Sequence, residues 1–498
     1  MPAKLTTAAQ VNGYRFIVRR LEHALVRWDP RMLHDPMRAQ GRAFAVGLVL
    51  AILALAGCAV YGLIRPQGTV GDAHIVAARG SGALYVVVDG TLHPALNLAS
   101  ARLVTNSAES PKLVGDKKLR SYPRGPLLGI PGAPAALPGP TGGDRSSWAV
   151  CDTLSGSAAS GTVNLAVLGT RPRLNERVRP AGANEAVLVR ISGADVAPDA
   201  DGGERTYLLF GDRRARVDLA DPAVRKILRL EGVLPRPVSA GLLNAFREVP
   251  PIVVPGIVGR GAPAALRHPG VGVGSVVRVS GVGGDSDFYV AFADGVQRVG
   301  RLAAELVRSA DSAGASEVPS IAPAAVAGLP IVNHLAVQDF PSTAPKVAPL
   351  DEVVTCLGWE RGDDRPGVGT LLLGRGLPLP AGSTAVRPSS ADGPGPGVDQ
   401  VYVPPGTGRY VQVTGSVPDS PRAESLFYVT DSGVRHGVSD PHAGAILGLG
   451  ERPAPVPWAV VSLLPAGPIL SRAAALVSHD GIEPDAAGAV FELPRQRN

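Results

Sequence analysis

Apolar residues along the 498-residue chain follow three different rules, and each predicts a different kind of element. Val11, Tyr14, Val18, Leu21, Leu25 and Trp28 recur at three-and-four spacing, which lines one stripe of a helix. Arg15, Arg19, Arg20 and Arg27 take the other faces. From Ala43 to Ile64 the chain then runs 22 residues without a charge. That is long enough to cross a hydrocarbon core, which needs about 20 helical residues. Beyond Ile64 the apolar runs become short, broken by Gly and Pro, and no second run reaches spanning length.

Within the uncharged run, Leu55-Ala56-Gly57-Cys58 resembles a lipoprotein cleavage box, after which a mature chain would begin at an acylated cysteine. The run continues six residues past Cys58, and 42 residues precede it, far more than the short basic lead of a signal peptide. The stretch therefore reads as an uncleaved anchor. Eight basic residues (Lys4, Arg15, Arg19, Arg20, Arg27, Arg31, Arg38 and Arg42) stand before it against Glu22, Asp29 and Asp35. Such an excess is retained inside, so the N-terminus is expected in the cytosol and the bulk of the chain outside it.

Four segments of that bulk share one pattern: "ALYVVVDGTLHPALNLASARLV" (83–104), "TYLLFGDRRARVDLADPAVRKIL" (206–228), "DFYVAFADGVQRVGRLAAELV" (287–307) and "LFYVTDSGVRHGVSDPHAGAIL" (426–447). Each opens on a strand carrying Tyr85, Tyr207, Tyr289 or Tyr428. A two-residue turn follows at Asp89-Gly90, Gly211-Asp212, Asp294-Gly295 or Ser432-Gly433, where φ must become positive. A second strand and a helix come next. Asp221-Pro222 and Asp440-Pro441 supply an N-cap and a first-turn proline. In the last three copies a second short helix is expected within 238–256, 321–335 and 456–472, whereas the first copy has "YPRGPLLGIPGAP" (122–134) instead. Each unit reads as a small ββαα-like module. The runs "EAVLVRISG" (185–193) and "GSVVRVSG" (274–281) read as extra strands in the intervals.

Composition changes the picture in two ways. The overall charge of +6 belongs to the leading segment; beyond it, 41 basic residues face 40 acidic ones. A nearly neutral body gives no electrostatic case for nucleic acid. Of three cysteines, Cys58 lies in the span, leaving Cys151 in "SSWAVCDT" and Cys356 in "VVTCLGWE". Two exported cysteines make one disulfide the default, against two unpaired thiols. Each sits in a short apolar strand beside a tryptophan, as two strands of one domain far apart in sequence would.

The blocks "SGALYVVVDGTLHPALNLASARLV", "PRGPLLGIPGAP", "SSWAVCDT" and "SLFYVTDSGVRHGV" resemble the EccB family, the single-span subunit of mycobacterial type VII (ESX) secretion systems. The resemblance runs from about Val11 to about Ser478. It implies an α+β fold: one N-terminal transmembrane helix, then an elongated periplasmic region of four small α/β repeats around a disulfide-stapled, β-rich central domain. The expected divisions are a cytosolic segment (1–42), the span (43–64), repeat 1 (65–134), the first part of the central domain (144–200), repeat 2 (201–260), repeat 3 (270–338), the second central part (345–420), repeat 4 (421–478) and a tail (479–498). The partners it implies are the EccC motor ATPase, EccD, EccE, the mycosin protease, other copies of the chain and the inner membrane. With them, the leading helix (Val11, Tyr14, Val18, Leu21, Leu25, Trp28) becomes a docking helix. The residues alone leave open a basic amphipathic helix lying on lipid headgroups.

Family members are described as ATPases, yet the chemistry is not visible. The phosphate cradle G-x-x-x-x-G-K-[ST] is absent, and none of the six lysines follows a glycine. "GVGVGSVVRVSG" (270–281) and "PPGTGRYVQV" (404–413) lead into strand-like runs, so no helix N-terminus is expected to face a phosphate there. His74, His93, His268, His334, His436, His442 and His479 show no metal-ligand spacing. His93 and His436 occupy one repeat position, where the other copies carry Arg216 and Arg298, and read as polar strand residues. No catalytic or metal site and no cofactor is expected; ATP enters from the family description alone. The expectation is a scaffold of a secretion pore, against an ATP-hydrolysing subunit with an unrecognised site. A third reading is a glycan-binding module whose repeat tyrosines stack on sugars.

Overall fold

The structure is a computed structural model that describes residues 7–31, 36–64, 70–138, 145–157, 161–191, 205–281, 286–310, 317–362, 365–393 and 395–483. Lys4, Asp35, Asp363 and the tail beyond Glu483 lie outside the described residues. The chain divides into two units, residues 1–69 and 70–498.

Among its described residues the first unit holds two helices, α1 (Ala8–Arg27) and α2 (Pro36–Ile64). Thr7 caps α1 through a reciprocal capping box with Gln10. The helix ends because Trp28 takes a left-handed backbone (φ 58°), two residues before Pro30. Trp28 is thus a C-cap beyond the last turn, which corrects its expected place on the apolar stripe. Gln40–Tyr61 of α2 is long and apolar enough to span a bilayer, with Cys58 exposed on it.

In the second unit, repeat 1 comprises β1 (Ile75–Ala78), β2 (Leu84–Val88), β3 (Thr91–Pro94), α3 (Leu98–Thr105), β4 (Lys112–Val114), α4 (Asp116–Leu119) and β5 (Leu127–Leu128). The central sheet begins with β6 (Arg145–Ser155), β7 (Thr162–Leu168) and β8 (Val178–Pro180). Repeat 2 has β9 (Glu185–Ile191), β10 (Thr206–Phe210), β11 (Arg213–Val217), α5 (Pro222–Ile227), β12 (Arg236–Val238), α6 (Ala240–Ala245) and β13 (Arg247–Ile252). Repeat 3 has β14 (Val276–Ser280), β15 (Ser286–Ala291), β16 (Val296–Val299), α7 (Arg301–Ser309), β17 (Ser320–Ile321) and α8 (Pro323–Ala327). After β18 (Lys346–Val347) the central sheet resumes with β19 (Val354–Gly362), β20 (Val368–Gly374) and β21 (Gln400–Tyr402). Repeat 4 follows as β22 (Arg409–Thr414), β23 (Leu426–Val429), β24 (Arg435–Val438), α9 (Pro441–Ile446), β25 (Ala454–Pro457) and α10 (Trp458–Val461). The described chain closes with α11 (Arg472–Ala475) and β26 (Ser478–His479).

Repeats 1, 3 and 4 have the same four-stranded order, β3-β2-β1-β4, β16-β15-β14-β17 and β24-β23-β22-β25, and repeat 2 contains it as β11-β10-β9-β12. The shared pattern therefore opens one strand before the tyrosine strand in every copy, a strand that the expected bounds of repeats 1 (65–134) and 3 (270–338) include and those of repeats 2 and 4 do not. The runs at 185–193 and 274–281 are not interval strands but the first strands of repeats 2 and 3, antiparallel to the tyrosine strand. After the first helix a short fourth strand returns parallel to the first. The divisions shift accordingly: β9 leaves the expected 144–200 segment for repeat 2, and β22 leaves 345–420 for repeat 4. One turn differs as well. Gly90, Gly211 and Gly433 have positive φ, whereas Gly295 does not. It ends a longer loop, and an added Cβ would lie 2.3 Å from the Pro330 carbonyl oxygen, so close approach rather than turn type requires glycine.

The six-stranded central sheet, in the order β21-β7-β6-β19-β20-β8, is split in sequence by repeats 2 and 3. Repeats 1 and 4 share a core that contains Leu103 of α3 together with Leu447, Leu470 and Tyr428, and β26 pairs with β5. Repeats 2 and 3 meet through Leu302 and Leu306 of α7 against Val224 and Leu228.

Candidate functional site

The central sheet is where the distant parts of the body are joined. β6 and β19 run antiparallel with Cys151 opposite Cys356, Trp148 opposite Trp359 and Asp152 opposite Thr355. Because successive side chains alternate between faces, each pair chooses a side. Cys151 and Cys356 form the expected disulfide on one face, fully buried with Leu372 and Tyr402. Trp148, Val150, Leu357 and Trp359 fill the other, beneath Leu242 and Leu243 of α6 and Val460 and Val461 of α10. The second helices of repeats 2 and 4 are thus clamped onto the stapled sheet.

Polar residues fix that seam. Asp152, 3 % exposed, accepts from the Ser239 amide (2.6 Å) and hydroxyl (2.8 Å), while Ser239 caps α6 by accepting from the Leu242 amide. Burial pushes the Asp152 carboxyl up to about 7; the two bonds from Ser239 oppose this and nearby Asp399 adds to it. Asp399 is itself buried and accepts from the Leu165 and Gly393 amides. On the edge facing repeat 2, Arg179 bridges Glu185 and Glu352, and its hydrogen bonds hold the Glu185 carboxyl down at about 2. A lone aspartate in "WAVCDT" gave no sign of this role, because its partner lies 87 residues away.

This seam makes one pH prediction. The folded Asp152 carboxyl titrates near 7, above its ordinary 3.8, so the folded state binds its proton more readily than the unfolded chain. Its contribution to stability is complete below about pH 4 and is lost as the pH rises through about 7. Asp152→Asn keeps an acceptor for Ser239 and should flatten that dependence. Urea midpoints of both proteins at about pH 5 and about pH 8 read it directly. Equal slopes would show that Asp152 does not titrate in this range.

The glycine-rich stretches run into strands β14 and β22. Among the described residues no cluster of three or more His, Cys, Asp or Glu is placed to hold a metal ion. His93 and His436 do occupy matching positions, each ring beside a glycine (Gly125, Gly467) and hydrogen-bonded to the next proline's carbonyl (Pro126 at 3.2 Å, Pro468 at 3.3 Å). Parallel bridges at Leu92, Val296 and Arg435 put Gln297 in that place in repeat 3, which corrects the expected match to Arg298. The repeat tyrosines are mostly covered. Tyr428 is buried, Tyr289 packs on the core of repeat 3, and Arg124 and Arg214 lie over the rings of Tyr85 and Tyr207.

On α1, Val11, Tyr14, Val18, Leu21 and Leu25 are all exposed, as is the cap Trp28. Phe16, Ile17 and Val26 are exposed as well, so the apolar surface is broader than a single stripe.

Comparison with known proteins covers nearly the whole chain. Residues 3–484 match the family model described as type VII secretion system ESX-1, transport TM domain B. The chain is 37 % identical over 497 residues to the ESX-3 secretion system ATPase EccB3 of Mycolicibacterium smegmatis, covering 98 % of this chain and 94 % of that protein. It is 36 % identical over 507 residues to the ESX-5 secretion system ATPase EccB5 of Mycobacterium marinum, covering 99 % and 97 %. A chain in the structure of an intact ESX-5 inner membrane complex superposes with a TM-score of 0.71 at 34 % identity, with 99 % of both chains covered. The EccB3 dimer from the ESX-3 core complex gives 0.69 at 34 % identity, covering 81 % of this chain and 100 % of that one.

Proposed function

Because the chain belongs to the EccB family, and is a membrane-anchored core subunit of the type VII (ESX) secretion complex, we propose that it works as a non-catalytic scaffold whose body stands in the periplasm. The observation that carries this reading is the clamp: two repeats' helices seated on one stapled sheet, a construction that fixes relative positions. A phosphate-binding loop and a lysine to serve it are both missing from the sequence. The "ATPase" in the relatives' names therefore has no phosphate-loop counterpart in this sequence, and the role proposed calls for no cofactor.

In this reading α2 crosses the inner membrane once and α1 stays in the cytosol, held there by its arginines. The body meets a second copy, as in the EccB3 dimer, along with EccC, EccD, EccE and the mycosin protease. With Cys58 replaced by serine, a cysteine placed at Arg19 should react with an impermeant maleimide only after the membrane is opened. One placed at Ser432 should react in intact spheroplasts. The reverse pattern would overturn the orientation. ATP turnover by the purified chain, abolished by a point mutation in it, would overturn the non-catalytic reading.

The exposed apolar face of α1 is assigned to docking on another subunit. Leu21→Asp with Leu25→Asp should remove the co-purifying partners while leaving the chain in the membrane. Loss of membrane association, with the partners still bound, would favour the headgroup reading instead.

A further inference from the structure

The body is nearly neutral as a whole, but its charge is unevenly placed. Residues 70–125, the part of the body next to the span in sequence, hold seven basic and four acidic residues, whereas residues 126–498 hold 33 and 36. Three of the chain's six lysines, Lys112, Lys117 and Lys118, fall within one run of seven residues.

The fold gathers that charge at one edge of repeat 1. β4 is the last strand of its sheet and lies against β1, with Ala78 opposite Val114. Gly115 leads directly from β4 into α4. The Arg79 amide donates to the Val114 carbonyl at 2.9 Å and the Gly80 amide to the Asp116 carboxylate at 3.0 Å, which fastens the end of β1 beside α4. Arg79, Lys112, Lys117, Lys118 and Arg120 are all exposed. No carboxylate among the described residues pairs with any of the five: Asp116 is turned to Gly80, and Glu109 accepts from the His74 and Ile75 amides. Leu113, 55 % exposed, stands between Lys112 and the buried Val114.

The other repeats differ at this place. The helix after their fourth strand reads AGLLNA in α6, PAAVA in α8 and WAVV in α10, without a charge. In repeat 1 it reads DKKL, and its one buried residue, Leu119, packs within repeat 1. A lysine on β4 is enough to guard an open sheet edge, but it leaves the charged helix behind that edge unexplained. Five residues, 65–69, join the end of α2 to Val70, and fully extended they reach about 20 Å. A membrane surface is therefore within reach of repeat 1 by covalent connection alone.

We propose that this patch rests on the outer face of the inner membrane, its cations on the phosphates of anionic phospholipids and Leu113 entering among the headgroups. It depends on α2 crossing the membrane with the body outside. Basic side chains gain from a negative lipid surface, and an apolar side chain among them adds buried area.

The test uses the full chain with Cys58→Ser and Leu113→Cys, an environment-sensitive fluorophore on the new cysteine, reconstituted into vesicles. The vesicles are phosphatidylcholine alone or an equal mixture with phosphatidylglycerol, each with a lipid spin-labelled near its headgroup as quencher. In the mixed vesicles the fluorescence should fall to about half or less of its value in phosphatidylcholine. Salt at about 0.5 M should restore it. Lys117→Gln with Lys118→Gln, at exposed positions that the fold does not use, should lower the ratio of bound to free label by about tenfold or more. Quenching that is equal in the two kinds of vesicle, or unchanged in the double variant, would overturn the proposal. Labelling at Ser432 reports the orientation independently, so a body shown to be outside together with equal quenching would overturn this proposal alone.

Discussion

Replacing Cys151 and Cys356 together by alanine is expected to lower the stability of the body by about 5 kcal/mol. The bond closes a chain separation of 205 residues, and the loop-closure entropy that it removes from the unfolded state grows with loop length. Within that loop lie repeats 2 and 3 entire, so the staple limits how far the two halves of the central sheet can separate. Against a total stability on the order of 5–15 kcal/mol, such a loss leaves the sheet near its limit. Tryptophan fluorescence reports it without a label, because Trp148 and Trp359 sit opposite each other on the same two strands. The urea midpoint followed by these residues should fall steeply. A change worth less than about 1 kcal/mol would mean that packing around Leu372 and Tyr402 holds the sheet without the bond.

Features written in consecutive residues were legible before any coordinates. The span announces itself as 22 uncharged residues, and Asp221-Pro222 and Asp440-Pro441 place two helix starts where the structure has them. The disulfide followed from counting cysteines on one side of a membrane. What could not be read was pairing over distance. β9 and β14 look like any apolar run of five to seven residues, and their assignment depends on β10 and β15 beyond intervening segments. The parallel fourth strands are two to four residues long, too short for alternation to show. Asp152 was missed for the same reason, since a single polar residue in a strand acquires meaning only from a partner 87 positions away. The broader apolar surface of α1 was partly hidden by Phe16 and Ile17, which fall off the simple stripe.

Removing the body is the second large effect expected. A chain ending at residue 69 keeps α1, with its arginines and apolar face, and the whole of α2, so insertion should be unimpaired. What it loses is the shared core of repeats 1 and 4, the contact between repeats 2 and 3, and the sheet on which α6 and α10 rest. If the chain contributes position rather than catalysis, no soluble factor or nucleotide can replace that loss. Native-gel migration of the detergent-extracted ESX complex, from cells carrying either the full chain or the chain ending at residue 69, tests this most directly. The account predicts that the truncated chain is recovered in the membrane while the large complex disappears. A complex of undiminished abundance, shifted only by the mass of the missing bodies, would contradict it.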